Sequence, residues 1–122
     1  LTLNLVMSKY CCIFVQSLIK LKIMKIPKKF KLFGSTIKII FDNNKGDEDG
    51  AYGQTRYKRN TIILQDFVHG ASIDKSEIES TAIHETIHFI LNRLGYDELN
   101  DDEKFVKQLS GALHQILTTM EY

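Results

Sequence analysis

The sequence predicts an α+β domain: a small antiparallel or mixed three-stranded sheet packed on two helices. Three observations predict it. Apolar residues alternate with a period of two at points between residues 31 and 66. After His69-Gly70 the apolar spacing becomes helical, and the chain of 122 residues suits a single core-bearing domain. A hydrophobic content of 43% with 25% charged residues is an ordinary globular balance, which excludes wholesale disorder.

The formal net charge of +1 conceals a division along the chain. Residues 1–33 carry seven lysines and no acid, while residues 34–122 sum to −6. A uniformly basic or acidic binder is thereby excluded. The lysines come without Arg or interleaved stacking aromatics, so no specific nucleic-acid partner is expected. Cys11 and Cys12 are adjacent and poorly placed to bridge to each other, so cysteine usage suggests a reducing compartment at most.

Residues 1–23 are expected to be an N-terminal extension, with the domain itself spanning residues 24–122. The chain starts with Leu1, whereas Met24 opens a stretch that reads as a domain start. The longest uncharged apolar run, residues 10–19, has about half the roughly 20 residues a membrane-crossing helix needs, so no membrane partner is expected. A targeting segment lacks its small-x-small cleavage site.

Within the domain, Ile37, Ile39 and Phe41 alternate with Thr36, Lys38 and Ile40, a strand pattern over residues 31–41. Residues 42–50, DNNKGDEDG, form a polar loop by composition. Residues 51–56 and 61–66 flank Tyr57-Lys58-Arg59-Asn60 as a hairpin. Its basic tip reads as a solvated turn that discourages edge pairing. Asp74 and Glu77 have capping-box spacing ahead of a helix of about 20 residues, and Gly95 supplies its stop after Leu94. A second helix opens near residues 100–103, with Phe105, Val106, Leu109, Ala112, Leu113 and Ile116 as its apolar stripe.

The chemistry sits in the first helix, at His84-Glu85-Thr86-Ile87-His88. Residues four apart share a helix face, so two imidazoles can reach one ion at about 2.0–2.1 Å. Glu85, turned about 100° from His84, is placed to work on a metal-bound water as general base and then acid. Random placement of this composition yields about 0.007 such matches per chain, which makes coincidence a poor explanation. Retention of metal should fall at acid pH, because imidazoles bind only when neutral.

A zinc centre needs a third protein ligand. Glu103 borders the apolar stripe of the second helix and is the leading choice. Asp102, which points along that stripe, and His114 are alternatives, while Asp97 and Glu98 read as solvated loop residues. Glu103 has a competing role as capping-box partner of Asn100. Tyr52, Tyr57, His69, Arg93, Tyr96 and His114 are candidates for stabilising a developing oxyanion.

HETIH on a helix, followed fifteen residues beyond His88 by Glu103-Lys104-Phe105-Val106, resembles the small zincin metallopeptidases. It is similar in particular to the compact phage- and prophage-associated group with a layout like the ImmA/IrrE family. The resemblance covers roughly residues 31–117. It implies a minimal zincin-like fold, with an active-site helix behind a small sheet and a downstream helix that begins with the glutamate ligand. It also implies one Zn²⁺ held by His84, His88 and Glu103, with Glu85 as catalytic base. The implied activity is hydrolysis of a protein or peptide substrate, in the cytoplasm of a bacterial or phage-infected cell. An extended substrate would add to the strand around Gly53, where a glycine marks a close backbone approach.

Overall fold

The computed structural model describes residues 25–44 and 52–122, an α+β arrangement with a mixed four-stranded sheet and three helices. The expected extension, residues 1–23, lies outside the described residues, as does most of the polar loop after Asn44.

Strands β1 (Lys29–Leu32) and β2 (Ser35–Phe41) pair antiparallel through the two-residue turn Phe33-Gly34. Both turn residues have positive φ, 48° and 83°, as the tightest hairpin connection requires. This turn corrects the three-strand expectation. The basic Lys-Phe-Lys-Leu stretch is a strand of its own, with Phe30 and Leu32 half-buried against the core.

Strand β3 (Gly53–Arg56) and strand β4 (Thr61–Leu64) form the expected hairpin, joined by a 3₁₀ turn at Tyr57–Arg59 and by left-handed Asn60. β4 pairs parallel with β2, which makes the sheet mixed, in the order β1-β2-β4-β3. β3 is therefore an edge strand. A two-residue hairpin, β5 (Phe67–Val68) and β6 (Ala71–Ser72), turns at His69-Gly70 and leads into the helices.

Helix α1 runs Lys75–Leu94, the limits its sequence predicts at both ends. Asp74 is the N-cap residue, but its side chain makes no capping hydrogen bond, so the expected capping box is not formed. At the far end Gly95 is left-handed, φ 79°, and the Tyr96 amide donates to the Leu91 carbonyl at 3.0 Å. That closes the orphan carbonyls of the last turn.

The second helical segment is divided. Helix α2 (Asp97–Asp101) is a single short turn, and helix α3 (Glu103–Thr119) follows after Asp102. The Asp102 carboxylate accepts the Phe105 amide at 3.1 Å, so Asp102 caps α3.

The core has two parts, one on each side of α1. Toward the sheet, Ala82 and Phe89 pack with Ile37 and Ile39 of β2 and Ile62 and Leu64 of β4. Toward α3, Ile83, Ile87 and Leu91 pack with Val106, Phe105 and Leu113. Burial of its apolar surface on both sides fixes α1 as the central layer, which holds the HETIH residues in register with β3 and α3. Among the described residues, no helix is long and apolar enough to cross a membrane.

Candidate metal centre

His84 and His88 lie one turn apart on α1, with their rings packed edge-on at a centroid distance of 4.8 Å. Their Nε2 atoms approach to 3.2 Å. Glu103, the first residue of α3, completes a triangle: one carboxylate oxygen lies 3.2 Å from His84 Nε2 and the other 3.1 Å from His88 Nε2. Among the described residues this is the one group of three His, Cys, Asp or Glu side chains close enough to share a metal ion.

The donor set fits zinc. A tetrahedral ion with ligands at about 2.0–2.1 Å separates neighbouring donors by about 3.3–3.4 Å, close to the 3.2 Å between the two Nε2 atoms and to the 3.1–3.2 Å from each to its nearer Glu103 oxygen. When both Nε2 atoms are unprotonated their lone pairs repel at this distance, and a cation between them would remove that repulsion. The Glu103 side chain is 68% exposed, against 22% for His84 and 10% for His88, so the triangle opens to solvent on its α3 side.

Asn100 fixes the orientation of His88. His88 Nδ1 lies 2.7 Å from Asn100 Oδ1, while the Asn100 amide nitrogen donates to the Tyr57 hydroxyl at 3.0 Å. With the Asn100 oxygen facing the ring, Nδ1 carries the proton and Nε2 keeps its lone pair for the centre. Asn100 can make both contacts because α2 ends beside it. The competing capping box between Asn100 and Glu103 is not formed, since Asp102 is the N-cap of α3 and the Glu103 carboxylate faces the histidines.

Glu85 is 8% exposed and points toward the sheet, where the Thr55 hydroxyl on edge strand β3 donates to its carboxylate. β3 approaches α1 closely at this point. A methyl group on Gly53 would lie 2.6 Å from Thr81 Cγ2 and 3.1 Å from Glu85 Cγ, so only glycine fits without displacement. Beside them a cleft of about 200 Å³, lined by Gly53, Thr81, His84, Glu85, Lys107 and Ser110 among others, runs between β3, α1 and α3.

Tyr57 packs edge-on against Phe89, with ring centroids 5.4 Å apart. Burial raises its phenol above the ordinary value of 10.0, and the Glu85, Glu103 and Asp101 carboxylates push it further up against a lowering hydrogen bond from Asn100. Tyr57 therefore stays a neutral hydrogen-bond donor at physiological pH.

The other sequence candidates lie elsewhere. His114 pairs with buried Glu79 at 2.9 Å and takes no part in the triangle. Asp102 caps α3, and Asp97 and Glu98 open α2. Arg93 bonds the Asn92 and Asn60 side chains and the Tyr57 carbonyl, Tyr96 is 56% exposed, and His69 sits in the β5–β6 turn. Tyr57 is the oxyanion candidate tied to the centre through Asn100, and Tyr52 lines the cleft. Sequence reading passed over Thr55 and took Asn100 for a helix cap, since the contact of each forms only in the folded chain. No protein-family model, curated protein or solved structure matches this chain.

Proposed function

We propose that the chain is a zinc-dependent peptidase on a minimal zincin-like fold, with His84, His88 and Glu103 as the ligands of one Zn²⁺. The observation that carries this is the triangle of His84, His88 and Glu103 side chains, with the two Nε2 atoms 3.2 Å apart and each 3.1–3.2 Å from its nearer Glu103 oxygen, and with a buried carboxylate next to it on the same helix. Bound there, zinc would supply Lewis acidity, polarising a carbonyl and making a water acidic near neutral pH.

The protein's own groups do the rest. Glu85 takes a proton from the attacking water and passes it to the leaving amine nitrogen. Thr55 holds the Glu85 carboxylate in one orientation, so the base is set before substrate arrives. The neutral Tyr57 hydroxyl donates toward negative charge developing on the carbonyl oxygen. Edge strand β3 offers backbone groups to an extended peptide, which aligns the scissile bond along the cleft.

Mass-spectrometric detection of cleavage in a peptide library tests the assignment. Wild type should cleave, while Glu85→Gln should retain zinc without cleaving, and His84→Ala should lose both. Zinc in wild type with no turnover of any peptide would leave a non-catalytic zinc-binding protein on the same fold.

A further inference from the structure

A second concavity shares Tyr57 with the candidate centre, and its basic residues have no part in the chemistry above. It has a volume of about 720 Å³ and is lined by Arg56, Tyr57, Lys58, Arg59, Asn92 and Arg93. Four of the six are cations and none is an acid. Among the described residues, none of these cations forms an ion pair with a carboxylate. Lys58 and Arg59 are exposed and Arg56 is half-buried. Arg93 is fixed, since its guanidinium lies over the Phe89 ring at 5.5 Å and bonds the Tyr57 carbonyl at 3.4 Å.

The concavity is built on the two elements that carry the centre, β3 and α1. Arg56 directly follows Thr55, the residue that holds Glu85. Asn92 follows His88 by one helical turn on the same face, about 6 Å along the axis. An extended peptide covers that distance in about two residues. Tyr57 is common to both sites, with its hydroxyl on Asn100 and its backbone in the basic wall.

We propose that this concavity is a recognition subsite for an acidic side chain of a peptide substrate, about two residues from the scissile bond. The subsite presupposes the peptidase assignment for its role in cleavage, but its affinity for acidic peptides stands without it. A peptide is favoured over a nucleic acid because the lining holds a single aromatic, Tyr57, whereas single-stranded nucleic acid is held by stacking successive bases on several.

The test is fluorescence anisotropy at low salt with the full-length Glu85→Gln protein. The probes are a fluorescein-labelled Ala-Glu repeat peptide, its Ala-Lys counterpart and oligo-dT of matching charge. The Ala-Glu peptide should bind about tenfold more tightly than the Ala-Lys peptide, the sum of three weak exposed ion pairs. Arg56→Gln/Lys58→Gln/Arg59→Gln should erase that preference while its zinc content and circular dichroism stay those of the parent. Equal binding of the two peptides, an unchanged preference in the triple variant, or oligo-dT binding as tightly as Ala-Glu overturns the subsite. Charge discrimination in a protein that holds no zinc overturns the peptidase assignment and leaves the subsite standing. A zinc-loaded Glu85→Gln protein that ignores peptide charge, beside a wild type that cleaves, does the reverse.

Discussion

Replacing His114 by alanine should be among the costliest single changes in the protein, although His114 lies far from the candidate metal centre. His114 Nε2 on α3 sits 2.9 Å from the carboxylate of Glu79 on α1, where the Glu79 side chain is 4% exposed and that of His114 is 16% exposed. Removing His114 leaves the buried Glu79 carboxylate without this partner, and breaking a buried pair in this way costs about 3–5 kcal/mol. Because His114 keeps some contact with solvent, the lower end applies, about 3 kcal/mol. For a domain of this size that lowers Tm by about 12–24 °C.

Replacing both partners removes both desolvation costs. Glu79→Leu/His114→Leu should therefore lie within about 1 kcal/mol of wild type, which gives a coupling energy of about 2–3 kcal/mol. Urea unfolding at pH 7, followed by far-ultraviolet circular dichroism, measures wild type, Glu79→Leu, His114→Leu and the double variant with a common m-value. Single variants that each cost under about 1 kcal/mol, or a double variant that costs their sum, would refute this account of the helix interface. The consequence reaches the candidate centre, because α3 carries Glu103 about 16 Å from His114 along its axis.

Other variants probe the contacts around the cleft. Gly53→Ala should destabilise the fold by about 1–3 kcal/mol in urea titration, since its methyl group meets Thr81 at 2.6 Å; adding Thr81→Ser should restore part of the loss. Asn100→Ala should weaken zinc affinity about 10- to 100-fold in a chelator competition, because His88 loses the partner that fixes its proton on Nδ1. Absorbance titration at alkaline pH should show one phenol, absent in Tyr57→Phe, ionising later than free tyrosine. Its raised folded value means the stability it contributes is complete below about pH 10 and is lost as pH rises through that higher value.

The features most legible in the sequence were those set by local rules. Gly95 ends α1 because a left-handed residue must follow the last turn, and the 3.6-residue period places His84 and His88 on one face whatever packs around them. The β3–β4 hairpin was legible from its alternation and its tip. The fourth strand was not, because Phe33 adopts positive φ in the β1–β2 turn, a conformation that a bulky side chain does not advertise. Parallel pairing of β2 with β4 is equally silent, since it joins strands separated by the loop and β3.

Around the centre the divide follows the same line. Glu103 could be singled out by its place at the border of an apolar stripe. Asp102 was its rival as a ligand and Asn100 its possible capping partner, and the roles of both depend on the break between α2 and α3. Asp102 caps α3 and Asn100 turns to His88. Thr55 and Tyr57 act from the sheet side, thirty or more positions from the residues they serve, beyond the reach of any local spacing rule.

Zinc stoichiometry of the purified protein, measured by inductively coupled plasma mass spectrometry after metal loading and desalting, tests the central claim most directly. One zinc per chain is predicted for wild type and Glu85→Gln, with loss in His88→Ala and a strong reduction in Glu103→Ala. A wild type that retains no zinc, or a zinc content indifferent to His88 and Glu103, would contradict the assignment.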